Sequence, residues 1–400
     1  MNVKRMLLVI LLMSCGATFV TPLFPLYSEY YQLNSLQITI LFAIYAAFLL
    51  PTLLVVGAKG SAWGLKKVLS ISILISIVST LLMIGSTEAW MIYVGRSLEG
   101  IAYGSFTGTS VAFLIRQSDP QKIGKAIKYS GVTVLVGFGL GPAIAAFMLQ
   151  YLPIQPLRLP FWILIGLLII SIVILGSLPK DVVTKEQKLA KHKISLGVPK
   201  KIRSHFWSMS GLAIFTVFTI QGTALALIPT FVKNVIQTSN LFISGLIFLI
   251  LLGGGAFAQF IPRPSQPVTR IRWGILLLAI GSWLIVTSGF TASLPLLWIS
   301  IFIQALGGGW TFQNALFFAG QLPEPEAKPR VISAFWICAY IGFIVPPVFV
   351  GALTQIFNLN ISLVVLNLFS SLIVVYVLLY SVRFKRETYS TTVPNKGASR

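Results

Sequence analysis

The stretch LPFWILIGLLIISIVILGSL, residues 159–178, carries no charged side chain along its whole length. Such a run selects lipid as its solvent: crossing about 30 Å of hydrocarbon takes about 20 residues of α-helix at about 1.5 Å each. Working outward, similar runs recur along the chain. They are continuous rather than alternating, which favours helices over a closed barrel, the other structure that satisfies its backbone in hydrocarbon. Twelve spans are expected, near 6–26, 37–57, 68–86, 90–113, 129–150, 159–178, 206–229, 241–261, 273–290, 294–318, 331–352 and 361–381. With 400 residues, 56% hydrophobic and 10% charged, the chain has more apolar surface than a soluble core of its length can hide, and reads as an all-α polytopic membrane protein.

The net charge of +21 is placed unevenly. Basic residues recur on alternate loops: Lys4 and Arg5; Lys59, Lys66 and Lys67; Arg116, Lys122, Lys125 and Lys128; the segment 180–203; Arg263, Arg270 and Arg272; Lys328 and Arg330; and the tail from Arg383. The intervening loops hold only Arg158 and Lys233. The positive-inside rule then puts both termini and the long middle loop in the cytoplasm. The charge is read as a topology signal in contact with membrane lipids, not as a nucleic-acid surface. The basic, apolar start ending Leu12, Met13, Ser14, Cys15 has the look of a lipoprotein signal. Its apolar run continues to Leu26, however, and removing it would leave an odd number of spans, so it is taken as the first span. Cys15 and Cys338 both fall in spans, and no disulfide is expected.

The expected division is a six-helix bundle over 1–178, a lysine-rich cytoplasmic linker over 179–204, a second six-helix bundle over 205–382 and a cytoplasmic tail over 383–400. A shift of 204 residues carries Pro25 onto Pro229, Ser35 onto Ser239, Gly104 onto Gly308 and Pro142 onto Pro346. Four matches at one offset, between halves with the same span order, point to an internal duplication with parallel halves about an axis along the membrane normal.

Three motifs carry mechanism. In the first span, Gly16 precedes Pro22, Leu23, Phe24 and Pro25. Proline removes a backbone donor and crowds the preceding turn, so the span is expected to bend or end near its outer side. In the fourth span, Arg96 and Glu99 are the only charged residues deep inside an apolar run. A charge at the bilayer centre costs roughly 3 kcal/mol on insertion scales, which makes these two residues a functional hypothesis. Their spacing of three puts them on one helix face, where they can pair, and Gly100, Ala102 and Gly104 let a neighbouring helix come close. Burial disfavours the charged carboxylate and the guanidinium favours it, two opposed effects that poise Glu99 to load and release a proton. An ion pair that simply locks helices together is the alternative. In the fifth span, Ser130, Gly137, Gly141, Pro142, Ala145 and Ala146 are echoed by Gly342, Pro346, Pro347 and Gly351 in the eleventh. Small residues permit close packing and proline supplies a bend, so Gly137, Gly141, Pro142, Pro346 and Pro347 are expected to shape a conformational switch.

Together these residues resemble the twelve-span drug:proton antiporter family of the major facilitators. The first motif is similar to its first-helix signature. The second resembles its fourth-helix motif, with Glu99 where glutamine is usual, and the third its fifth-helix antiporter motif, with Ser130 for the leading glycine and Ala145 and Ala146 for the closing glycine pair. The resemblance implies the two-bundle fold with a mid-plane site, Arg96 in proton coupling, and Gly137, Gly141 and Pro142 in the antiport switch. The chain departs from the family between spans two and three. The family's aspartate and arginine are absent from Gly57, Ser61, Ala62, Gly64, Leu65, Lys66 and Lys67, which implies a weakened cytoplasmic latch.

Polar and aromatic residues within spans are candidates for a substrate cavity: Gln304, Trp310, Gln313 and Asn314 in the tenth span, with Tyr45, Gln221 and Tyr340. Asp119, Asp181, His192 and His205 fall in loops or at a membrane edge, which leaves an intramembrane enzyme without paired aspartates or a buried base; no metal or cofactor is expected. The reading is a proton-coupled efflux antiporter, monomeric, of small amphipathic compounds. An exporter of an anionic metabolite such as a siderophore or metallophore is the alternative, then a lipid flippase. Short outer loops point to a bacterial inner membrane.

Overall fold

A computed structural model describes residues 2–179, 196–238, 240–261, 266–324 and 327–392, with side chains to 383. Most of the expected linker, including Asp181 and His192, and the end of the tail lie outside the described residues. Every regular element among the described residues is helical.

The first half comprises α1 (Asn2–Thr18), α2 (Phe24–Tyr30), α3 (Ser35–Trp63), α4 (Leu65–Ile84), α5 (Ala89–Arg116), α6 (Ile123–Tyr151) and α7 (Leu159–Gly176). In the second half, a short helix Arg203–Phe206 and a π turn Trp207–Gly211 lead into α8 (Leu212–Asn234). There follow α9 (Phe242–Phe248), a π turn Leu249–Gly253, α10 (Gly254–Ala258), α11 (Pro267–Phe290), α12 (Leu294–Gln321), α13 (Lys328–Leu353) and α14 (Leu359–Thr392). Ten helical stretches are long and apolar enough to cross a membrane. α5, whose polar residues dilute its hydropathy, and the shorter Phe242–Ala258 complete an order that agrees with twelve crossings.

Local chemistry sets the ends. Asn34 caps α3 through a reciprocal box with Gln37, and Pro160, Pro267, Pro295 and Pro329 stand in first turns, where a missing N–H costs nothing. The apolar run alone ends the second span near residue 57, but α3 continues two turns further, to Trp63. The expected loop thus shrinks to Gly64, whose φ of +91° is open to glycine and strained for other residues.

The two halves repeat one packing scheme. α1 packs on α6 and α7, α4 on α5 and α7; correspondingly α8 packs on α13 and α14, α11 on α12 and α14. Between the halves, α3 packs along α13, and α6 along α9 and its π turn. At the end opposite the termini, here the far end, α2 also meets α8. Apolar side chains of the first half merge there with Phe231, Val232 and Leu297 into one core. At the end carrying the termini and most loop cations, here the basic end, the second half has a separate core around Phe206, Ile271 and Phe335. The halves share one apolar core at the far end, whereas at the basic end their cores are separate and Lys128 of the first half lies over the Phe260 ring of the second at 4.2 Å. Outward faces expose large apolar side chains such as Leu74, Val78, Val173, Leu372 and Leu379, as lipid contact requires.

Candidate functional site

The three motifs of the first half converge on the break in α1. The helix stops at Thr18, passes through a tight turn at Thr21–Leu23 and restarts at Phe24 with Pro25 in its first turn. Pro22 cannot donate to the Thr18 carbonyl, and the Thr21 hydroxyl donates to it instead. One residue earlier, the Ala17 carbonyl accepts from Arg96 Nη1 at 3.4 Å. The sequence singled out the first and fourth spans separately; the structure brings them into contact through this carbonyl.

Arg96 and Glu99 pair at 2.5 Å, and the residues are only 1% and 6% exposed. Taking two charges out of water is costly, and the pair is held by more than its own attraction. The guanidinium lies 4.5 Å from the centre of the Tyr45 ring. Tyr45 reaches this place because Gly100 and Gly104 have no side chain: a Cβ at either would collide with the α3 backbone at Tyr45 or Leu49. Arg96 Nε is buried and has no hydrogen-bond partner among the described residues.

α6 closes the other flank. A Cβ on Gly141 would strike the Cys15 backbone, and one on Gly137 would lie 2.6 Å from Ser14 Cβ. Thr18 Oγ1 donates to the Phe138 carbonyl at 2.8 Å. Ser14 and Tyr103 hydroxyls meet at 3.3 Å. The opposite face of α6 serves the inter-half seam, where Gly139 approaches Leu249, and Gly245 fits against Pro142, Ala143 and Ala146. Pro346 and Pro347 lie inside α13, and Gly351 of that helix fits against Thr39 of α3. Gly16 looks towards Leu164 and Ser76, inside the first half.

Across from Tyr45 and Tyr103 stands an aromatic group that sequence reading mostly missed. Phe218, Phe312, Trp336, Tyr340 and Phe343 form a continuous cluster with ring centroids 5.9 to 6.5 Å apart. Phe42 of α3 meets Phe343 at 4.6 Å. The signal was present as aromatic residues at helical spacing, 336, 340 and 343.

The tenth-span candidates need correction. Gln304 is fully buried against Gly281 of α11, a seam inside the second half, and neither of its amide atoms has a hydrogen-bond partner among the described residues. Trp310 donates its indole N–H to the Ala258 carbonyl at 3.0 Å, and Asn314 donates to the Trp310 carbonyl at 2.8 Å. Gln304 and Trp310 thus face α11 and α10, where small residues let the helices come close, and Asn314 bonds within its own helix. Gln313 stays partly exposed beside Phe312, and Gln221 lies against Gly308.

Lys66 donates to the Gly176 carbonyl at 2.9 Å and to the Leu178 carbonyl, capping the end of α7 within its own half. A contact that sequence reading missed joins the halves at the far end, where Lys233 pairs with Glu29. These residues are separated by the same 204-residue shift that relates the two halves.

Residues 6–345 match the family model described as Major Facilitator Superfamily. A tetracycline resistance protein, class H, of Pasteurella multocida is 30% identical over 146 residues, 36% of either chain, so the match spans about a third of this curated relative. Among solved structures, a POT family transporter in complex with a thioalcohol-conjugated peptide has a TM-score of 0.77 at 11% identity, covering 95% of this chain and 96% of that one. The human organic anion transporter MFSD10 has a TM-score of 0.67 at 16% identity, covering 94% and 98%. A bacterial homologue of the lysosomal transporter Spinster, inward-facing and unoccupied, has a TM-score of 0.69 at 14% identity, covering 96% and 97%. At these identities the structural likeness concerns the fold.

Proposed function

We propose that this chain, which belongs to the Major Facilitator Superfamily, exports small amphipathic compounds in exchange for protons. It is a multi-pass membrane transporter rather than an enzyme. In our reading the bundles 1–178 and 205–382 rock about a shared mid-plane site, the basic end faces the cytoplasm, and the state described is open to that side.

One observation carries the proposal: a buried ion pair, Arg96 with Glu99, is wedged between the Tyr45 ring and the carbonyl exposed by the break in α1. Protonating Glu99 removes half of the pair and leaves Arg96 to the Ala17 carbonyl and Tyr45. The change is felt by α1 and α3, and through Gly137 and Gly141 by α6, the helix that forms one inter-half seam. The aromatic cluster opposite offers apolar faces to an amphipathic substrate. Export is supported by the partial match to a tetracycline resistance protein.

The test is proton-driven transport in proteoliposomes with a panel of cationic, neutral and anionic amphipaths, comparing wild type with Glu99→Gln and Arg96→Ala. Glu99→Gln should bind substrate and lose proton coupling; unchanged coupling would return Glu99 to a structural role. The unpartnered Arg96 Nε favours a second reading, an exporter of a carboxylate-bearing metabolite such as a siderophore or metallophore, which the anionic members of the panel would reveal.

A further inference from the structure

A crevice of about 540 Å³ lies between the lead-in to α8 and the outward edge of α13, with Arg203, Trp207, Leu212, Phe215, Ile337 and Ile341 among its walls. It opens towards lipid: Trp207 and Ile341 are 45% and 44% exposed, and Ile341 shares its edge of α13 with exposed Val345 and Phe349. From Arg203 to Phe215 the helix rises about 18 Å, close to the depth of one leaflet, half of about 30 Å. Trp207 stands one turn inside Arg203, the depth at which indole rings prefer the membrane interface. The π turn Trp207–Gly211 shapes this wall. A Cβ at Gly211 would lie 2.9 Å from the Trp207 ring, so glycine lets the indole fold against the backbone.

The mouth is cationic. Gly197 and Val198 line it, and Lys200, Lys201 and Arg203 follow with no acidic residue between Leu196 and Arg203. Arg330 comes up to Gly197, and its Nε is buried without a hydrogen-bond partner among the described residues. Apolar walls one leaflet deep beneath a cluster of donors match a molecule with one phosphate and hydrocarbon tails. We propose that this crevice binds a single anionic phospholipid of the leaflet at the basic end, its phosphate between Arg203 and Arg330. The inference needs only that the chain spans a membrane, and stands whether or not proton-coupled export does.

Cys338 lines the crevice and reports on its occupancy. The full chain is placed in nanodiscs of phosphatidylcholine alone or of an equimolar mixture with phosphatidylglycerol, and N-ethylmaleimide alkylation of Cys338 is followed by peptide mass spectrometry. Phosphatidylglycerol should slow alkylation about tenfold when its concentration in the disc is about ten times its dissociation constant. In Arg203→Gln/Arg330→Gln the two lipid compositions should give equal rates. A second variant, Ala334→Phe, fills the crevice and leaves the charges in place; native mass spectrometry should show one phosphatidylglycerol retained on wild type and none on this variant. Equal alkylation of wild type in both compositions would overturn the proposal. So would protection that persists in the double arginine variant, or lipid retained undiminished by Ala334→Phe.

Discussion

Shifting by 204 residues takes Arg96 to Ser300, Glu99 to Ile303 and Gly100 to Gln304, while Gly104 stays glycine at Gly308. The first half thus buries a charged pair at the place where the second buries a hydroxyl and an amide and leaves Ile303 half-buried. The second half in turn holds a continuous cluster of five rings, Phe218, Phe312, Trp336, Tyr340 and Phe343, which meets the first half at Phe42. What the halves hold in common is backbone proximity. Gly137 and Gly141 sit on α1 at Leu11 and Cys15, and Gly342 sits on α8 at Phe215, the residue 204 positions beyond Leu11. The two halves thus share close helix seams and differ in the side chains beside them, a buried ion pair in one and a cluster of five rings in the other.

The sharpest way to break this division is Arg96→Ala. It leaves a buried carboxylate without its cation, a change that costs about 3–5 kcal/mol in typical buried pairs. Thermal unfolding in detergent should show the loss, and proteoliposome transport should vanish. Arg96→Ala combined with Glu99→Gln should recover most of the stability without recovering transport. If the single variant is as stable as wild type, the charge is not what defines the first half.

Next in size is the shared seam. Gly141→Ala places a methyl group into the Cys15 backbone and should destabilise by about 1–3 kcal/mol, the usual cost of overpacking. Gly166→Ala, on an open face with nothing within 4 Å, should instead stabilise by about 0.5–1 kcal/mol through helix propensity. Opposite signs for one chemical change, read as shifts in unfolding temperature, would place the seam where the structure puts it. A gain at both sites would mean that glycine acts here chiefly through the unfolded chain, and a loss at both would erase the distinction between seam and open face.

Much of this was legible in the sequence, and the reason is physical. A span announces itself through uncharged length, and a buried ion pair through its rarity, so the helices and the residues Arg96 and Glu99 stand out. Rotation of a helix about its own axis does not announce itself when all faces are apolar. Gln304 and Trp310 were therefore expected at the midline and instead face α11 and α10. The Ala17 carbonyl has no side-chain signature at all. It becomes an acceptor for Arg96 only once the prolines end the helix and α5 packs beside the break. Helical residues after the last apolar position were equally silent, so α3 outran its expected end and reduced the loop to Gly64.

A smaller effect sharpens the assignment of contact to the second half. Tyr340→Ala and Phe218→Ala each remove one ring from the cluster and should weaken substrate binding by about 0.5–1.5 kcal/mol beyond the lost area. Proton coupling should persist, because neither ring touches Arg96 or Glu99. Equilibrium binding measured beside proton-coupled flux separates the two. A ring variant that binds normally and loses coupling would transfer the proton role to the second half and erase the division.

The smallest expected effect lies where the halves meet as equals. Glu29 and Lys233 occupy equivalent positions and pair across the far end, with side chains 61% and 37% exposed. Exposed pairs contribute about 0.2–1 kcal/mol, and because this one joins the bundles only while the far end is closed, its energy goes into the balance between states rather than into folding. Glu29→Lys should therefore leave the unfolding temperature nearly unchanged and raise the fraction of molecules open at the far end by a few-fold, read as reaction of a cysteine introduced at Tyr30 with a membrane-impermeant maleimide. The exchange Glu29→Lys/Lys233→Glu restores opposite charges at the same two places and should return the fraction to the wild-type value. If the exchanged protein instead behaves like the single variant, the sign of charge on each half matters for a reason beyond their pairing, and the two ends of the repeat are less equivalent than the shared shift implies.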